Sequence, residues 1–316
     1  MVAKLFVESW APDYGAPLEV SEERQAASKV DPGVEIAGVW EPLDGDPREA
    51  DEVVFVDGVR RVDARLTLDD PIHGPLPGLC GSFGVGAVRW KVGHGAAFEE
   101  LQVQRLAILG GGARPELPGM PGLDYRPEAV GSDDPAALVA FFHSRMRAAE
   151  AVLAGRLAEA GNLVFADGPI NELRPQTLIG YVKTHRVNYL GPDLSPTISR
   201  LRAGQRTPIF LIEAEQYARY SWYLRLADLP HGHSWTGVVR CEAPASLGID
   251  QASRLASCSA GILPRVASES YIDPRAPQNL VPIAALEKEL RRRLGDPALL
   301  YRSLLTSVAG RQEVPA

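Results

Sequence analysis

The feature that most constrains the fold is the unbroken apolar run Leu163, Val164, Phe165 and Ala166, which stops at Asp167, Gly168 and Pro169. A strand with one wet face alternates polar and apolar residues, so a continuous run closed by a turn signal predicts a strand buried on both faces. Asp167 is then expected at a strand's end, where the strand fixes the carboxylate and the following turn leaves it reachable. A second run, Val53, Val54, Phe55 and Val56, leads in the same way into Asp57 and Gly58. If the two strands are neighbours, their carboxylates converge. Converging carboxylates repel each other unless something positive lies between them, and a hard divalent cation held by oxygen ligands is the usual solution.

With 316 residues the chain can form one large α/β domain or two small ones, and its 45% hydrophobic and 23% charged residues are ordinary for a globular protein. A net charge of −7 argues against a surface that coats nucleic acid everywhere, while leaving room for a local basic groove. Basic residues cluster at Arg60 and Arg61, Lys183 to Arg186, Arg200 to Arg206, and Arg291 to Arg293. Most such runs are solvated faces. Cys80, Cys241 and Cys258 are widely spaced and odd in number, which suits a reducing cytoplasm and offers neither a disulfide framework nor a Cys-x-x-Cys clip. The first residues lack the apolar core of a signal peptide, and nowhere do eighteen apolar residues run together. The expectation is a cytoplasmic protein with no membrane segment.

Residues 1–50 mix Pro, Gly and acidic residues around a short helical candidate at Ser21 to Ser28, and are expected to be an arm packing on the main domain or on a second subunit. The remainder, 51–316, is expected to be one domain. Three β runs, through Val59 to Leu68, Leu79 to Val92 and Leu101 to Leu109, predict an antiparallel meander. The Gly- and Pro-rich stretch 110–134 reads as a long loop. Asp134 as N-cap and Pro135 at the first helical position open a helix with Leu138, Phe142, Met146, Ala149, Leu153 and Leu157 on one face. Beyond Asp167, Thr177 to Val182 is a short β run, residues 207–213, 219–227 and 234–243 are strand-like, and helices are expected from Ile249 to Leu263, from Pro282 to Leu294 and from Asp296 to about Gly310.

Two further residues bear on the carboxylates. Glu150 lies at the border of the first helix's apolar stripe, either as an ordinary rim glutamate or as a third acid leaning over the sheet's end. Lys183, at the end of the Thr177 run, either binds a phosphate or orients a water, or else is only an edge-strand lysine. Other chemistries lack their marks: there is no P-loop, no His-Glu-x-x-His and no Gly-x-Ser-x-Gly, and Gly84 and Gly86 sit in a β run rather than at a strand-to-helix turn. His231 and His233 flank a glycine, without a third nearby ligand to make a metal site.

Asp57-Gly58 on a first strand, Glu150 seventeen residues before a second Asp-Gly, and Ile-Gly-Tyr-Val-Lys-Thr at 179–184 together resemble the NurA nuclease family, and the segment 273–287 looks like its bacterial branch. The resemblance runs from about residue 50 to 300 and rests on the order and spacing of short motifs. It implies a ribonuclease H-like α/β fold, a mixed sheet flanked by helices with additional antiparallel strands and C-terminal helices. It also implies a homodimer, Mn2+- or Mg2+-dependent cleavage of single- and double-stranded DNA ends, and partnership with a HerA-type hexameric ATPase in double-strand break repair. By that likeness Asp57, Glu150 and Asp167 hold the metal, Lys183 belongs to the site's edge, and two ions flank the scissile phosphate. Archaeal members carry a histidine at the head of the C-terminal helix, and Pro282 to Glu287 contains none; Asp273, in a Pro-bounded turn, is the candidate replacement ligand, against its plainer reading as a turn aspartate. Tyr181 or Trp222 could stack on an unpaired base, or lie in the core. The alternatives are a catalytically silent adaptor that guides DNA to a translocase and an actin-like ATPase, which wants two similar halves with glycine-rich phosphate loops.

Overall fold

The computed structural model describes residues 4–7, 29–46, 51–115, 117, 120, 122–170, 177–183, 187–213, 217–229, 233–269, 271 and 275–312. In chain order its strands are β1 (Lys4–Val7), β2 (Lys29–Asp31), β3 (Leu43–Asp44), β4 (Glu52–Asp70), β5 (Gly74–Lys91), β6 (Gly95–Leu109), β7 (Arg126–Ala129), β8 (Val164–Asp167), β9 (Leu178–Val182), β10 (Gln205–Arg206), β11 (Phe210–Glu213), β12 (Ala218–Arg225) and β13 (Val238–Pro244). The helices are α1 (Pro135–Glu159), α2 (Ser195–Arg200), α3 (Ile249–Ile262), α4 (Val281–Leu294) and α5 (Pro297–Gln312).

All thirteen strands join one mixed sheet, whose main path is β2-β11-β12-β13-β9-β8-β4-β5-β6-β7. The fold class is therefore α/β with C-terminal helices. At its centre β4, β8 and β9 are parallel, while β4, β5 and β6 form the expected antiparallel meander. These meander strands are long, at 19, 18 and 15 residues. Asp70 shapes the first hairpin turn, its Oδ1 accepting the amides of Ile72 at 2.9 Å and His73 at 2.8 Å.

Two expectations need correction here. Gly58 does not end a strand: β4 runs through it, with Asp57 opposite Gly86 and Gly58 opposite Val85. The strand that stops at that level is β8, on the other flank of β4. The stretch 110–134 is also not all loop, because Arg126–Ala129 pairs parallel to Leu106–Leu109 as β7.

Each face of the sheet is covered by a helix whose apolar stripe follows from its sequence. In α1 the Asp134 Oδ1 caps the Ala136 amide at 2.9 Å, and Leu138, Phe142, Met146, Leu153 and Leu157 bury against Val54, Val56, Phe83, Val85 and Val164. On the opposite face Ile283, Leu286 and Leu290 of α4, with α3 beside them, bury against Phe55, Phe165, Ile179 and Tyr181. Each fully buried leucine contributes about 2 kcal/mol by removal from water. Gly84 and Gly86 make this approach possible: a Cβ on Gly86 would lie 2.5 Å from Leu101 Cδ2 and 3.2 Å from Leu286 Cδ1. They are packing glycines under α4.

The described parts of residues 1–50 pair with the rest of the sheet, β1 with β4, β2 with β11 and β3 with β10. Glu35 fastens this region. Its carboxylate accepts Arg206 Nη2 at 2.8 Å and Nη1 at 2.9 Å, Ser253 Oγ at 2.6 Å and the Ile209 amide at 2.7 Å. The helical candidate Ser21 to Ser28 lies outside the described residues. All three cysteines are buried and free. Among the described residues no helix is long and apolar enough to cross a membrane.

Candidate functional site

The site is set by where β8 stops. Val56 and Ala166 are the last registered pair of the parallel strands β4 and β8, which puts Asp57 and Asp167 at the next level of adjacent strands. Strand alternation sends both toward α4, the side of Phe55 and Phe165. Beyond Asp167 the chain turns at Gly168, φ +99°, whose amide donates to Tyr181 O at 2.8 Å. A Cβ on Gly168 would run into the Arg147 guanidinium. The turn then crosses β9 over Gly180, where a side chain would meet Ile170 Cγ1 at 2.8 Å, and the Ile170 amide is held by Glu242 Oε2 at 3.2 Å. Glu242 is itself buried between Arg219, 2.9 Å from Oε1, and Arg240, 3.1 Å from the same oxygen.

Glu150 comes from the other layer. It lies on the α1 row Leu138, Phe142, Met146, Glu150 and is only 6% exposed, so it is part of the buried stripe rather than its rim. Gly58 lets it reach the strand, because a Cβ there would stand 2.5 Å from Glu150 Oε1. The Gly58 amide also donates to Asp57 Oδ1 at 2.7 Å, so both carboxylates flank one residue. Arg147 extends the chain of contacts, its Nη1 lying 2.9 Å from Glu150 Oε2 and 2.7 Å from the backbone oxygen of Asp167.

Lys183 follows β9, an interior strand between β8 and β13, which removes the edge-strand reading. Its Nζ donates to Asp167 Oδ2 at 3.0 Å and to Asn279 Oδ1 at 3.2 Å, tying the strand ends to the segment that leads into α4. Tyr181 reinforces that tie, its hydroxyl donating to Gln278 O at 2.7 Å. On α4 stands an acid that the motif reading passed over. Glu287 is 6% exposed and shares the buried row of Ile283 and Leu290, and a glutamate at i+4 and i−3 from buried aliphatics was its signal in the sequence.

Burial pushes the Asp57 carboxyl well above the usual carboxylate range, and the charge of Asp167 adds to this, opposed by Lys183 and reinforced by Glu150 and Glu287. Burial would lower the Lys183 ammonium, but Asp167, Asp57 and Glu287 outweigh it and raise its pKa. Glu287 is held below its ordinary value: burial is more than offset by the Arg275 hydrogen bonds and the charges of Lys183, Arg275 and Arg291. Asp57 Oδ2 is buried with no hydrogen-bond partner. Such an atom is costly unless it serves a ligand.

The donor set is all carboxylate, which suits Mg2+ or Mn2+ better than softer metals. Asp57, with its orphaned oxygen, fits a cation, although among the described residues no group of three or more His, Cys, Asp or Glu stands at metal-binding spacing. Lys183 on Asp167 and Arg147 on Glu150 meet the negative charge instead.

Other candidates are placed elsewhere. Asp273 and His231 lie outside the described residues, as do Thr184 to Arg186. Tyr181 and Trp222 are both fully buried, so neither can stack on a base; Trp222 Nε1 donates to Ser259 Oγ at 3.0 Å within the core. Of the basic clusters, Arg206 is buried on Glu35, Arg61 caps the C-terminus of α4 at Gly295 O, 2.9 Å away, and Arg291 to Arg293 pair with Glu287 and Glu289. No protein-family model matches the chain, and no curated protein matches it.

Proposed function

We propose that the chain is a divalent-metal-dependent deoxyribonuclease of the NurA kind, built on a ribonuclease H-like core. In this reading it processes single- and double-stranded DNA ends in the cytoplasm, as a homodimer working with a HerA-type hexameric ATPase. The observation that carries it is Asp57: a buried carboxylate with an unpartnered oxygen, next to Asp167 on a parallel strand and to Glu150 across Gly58. The strand order β6-β5-β4-β8-β9, an antiparallel meander followed by two parallel strands, supports the core assignment.

Asp57, Glu150 and Asp167 would hold the cation, which when bound supplies an activated water and charge stabilisation at the leaving 3′ oxygen. Lys183 balances Asp167 through its 3.0 Å contact until a cation is bound, and once displaced it offers the charge that a phosphate oxygen needs on arrival. Arg147 holds Glu150 and the Asp167 backbone in one frame.

A silent adaptor is the second reading, favoured by one observation: Lys183 and Arg147 already neutralise two of the acids. Purified protein incubated with linear single- and double-stranded DNA and Mn2+, with and without EDTA, separates the two. The nuclease reading expects EDTA-sensitive loss of DNA that Asp57→Ala and Asp167→Ala abolish while both variants stay folded. Binding of DNA without cleavage by the wild type would establish the adaptor.

A further inference from the structure

We propose that Arg275 and Arg291, both fastened on the buried Glu287, form a clamp for backbone phosphates of a DNA strand at the mouth of the carboxylate site; this rests on the deoxyribonuclease reading above.

A continuous chain of contacts places the pair. Lys183 Nζ, 3.0 Å from Asp167 Oδ2, also donates to Asn279 Oδ1 at 3.2 Å. The Asn279 amide donates in turn to Arg275 O at 3.0 Å, so Arg275 stands one turn of chain from the residue that meets the site's lysine. Tyr181 holds the same turn, its hydroxyl on Gln278 O at 2.7 Å. Arg291 arrives along α4, which begins at Val281 just after that turn and carries Arg291 one helical turn beyond Glu287.

The contacts orient guanidiniums without hiding them. Arg275 meets Glu287 fork to fork, Nη1 on Oε1 at 3.3 Å and Nη2 on Oε2 at 3.2 Å, and Arg291 Nη2 lies 3.1 Å from the second oxygen. The glutamate side chain is 8% exposed, whereas the arginines are 53% and 60% exposed. Two guanidiniums on one carboxylate leave the trio positive, on its solvent side. Ion pairs this exposed add little to stability, so the fold gains from them chiefly a fixed direction for each guanidinium. A side chain already so held loses less freedom on binding. A guanidinium carries more N–H donors than one carboxylate engages, and phosphate oxygens accept its fork as a carboxylate does. Such contacts position a strand without reading its sequence.

The test follows a fluorescein-labelled single-stranded oligonucleotide by anisotropy across a salt series, with full-length protein, in EDTA and again in Ca2+. Arg275→Ala and Arg291→Ala are each expected to weaken binding about fivefold at low salt. Each should also make the slope of log affinity against log salt shallower by about 0.7, the share of one single-strand phosphate contact. Arg275→Lys, which keeps the charge without the fork, is expected to keep the slope and bind between the two. Arg292→Ala, which removes an equal charge next along α4 from an arginine engaged by Glu289, is expected to match wild type. Arg291→Ala, at an exposed helix position, carries the test if Arg275→Ala does not fold. Wild-type affinity and slope in both Arg275→Ala and Arg291→Ala overturn the clamp and leave the deoxyribonuclease reading standing. Weaker binding with an unchanged slope, or an equal loss in Arg292→Ala, overturns it as well. A wild type that binds DNA in neither buffer overturns both.

Discussion

Asp57 and Asp167 stand at one level of two adjacent parallel strands, a step past the paired Val56 and Ala166. Like charges so placed cost stability when no cation is present, and Asp57 bears most of it because it is buried. Asp57→Asn is therefore expected to stabilise the protein in EDTA by on the order of 1 kcal/mol, and so to raise its melting temperature, while eliminating DNA cleavage. Thermal denaturation in EDTA checks it, and an unchanged or lower midpoint would show that Asp57 is a structural residue.

Gly58 separates function from stability in a different way. Its missing side chain is the space that Glu150 Oε1 uses, and an added Cβ would push that tip aside while lying 3.1 Å from the backbone oxygen of Gly84, a close contact the strand pair can absorb with a small shift. Gly58→Ala should leave the fold within about 1 kcal/mol of wild type but reduce cleavage more than about tenfold, by displacing that carboxylate. Parallel urea titrations and rate measurements test this. Gly86→Ala is the contrast, since its Cβ would press on Leu101 and Leu286 in the core and lower stability directly.

Lys183 is the resident counter-charge. Replacing it as Lys183→Met leaves Asp167 and Asp57 uncompensated, with an expected loss of about 2–4 kcal/mol in EDTA. Millimolar Mn2+ should restore more stability to this variant than it adds to wild type, because the cation then takes over the lysine's task. Equal shifts in the two proteins, read by differential scanning fluorimetry, would argue that the cation binds away from Lys183.

Glu35 gives a pH dependence outside the site. Burial would raise its carboxyl, but Arg206, Ser253 and the Ile209 amide outweigh it and hold it below its ordinary value of 4.5. A depressed carboxylate contributes stability above its unfolded pKa, and that contribution fades as pH falls through the lower folded value. Glu35→Gln is expected to cost about 2 kcal/mol near neutral pH, a gap that narrows once the pH drops below 4.5. Denaturant midpoints across that range measure it, and a gap constant with pH would refute the assignment.

The parts of the fold legible in the sequence were those written in local patterns. Val164 to Ala166 read as a doubly buried strand, and Asp134 with Pro135 as a helix start, because each signal is complete within a few residues. What escaped depended on distant partners. Glycine inside a strand reads as a break, so Gly58 suggested an end where Glu150, on a helix far along the chain, explains it. The alternation of β4 slips between Val62 and Ala64, where Asp63 is buried against Ser82 and Tyr125, contacts that local pattern cannot show. For Tyr181 and Trp222 the core is the favoured reading of their β runs, and the structure buries both on the interior strands β9 and β12. Glu287 was hidden by its own regularity, a charged residue in an amphipathic helix whose face only the packed sheet defines.

The most direct measurement is a crystal grown with Mn2+ and examined by anomalous diffraction. The account predicts one or two peaks in direct contact with Asp57 Oδ2 and with Glu150 or Asp167, and Lys183 moved off Asp167 to make room. Fully occupied Mn2+ bound elsewhere, with Asp57 still unpartnered and Lys183 still on Asp167, would contradict it.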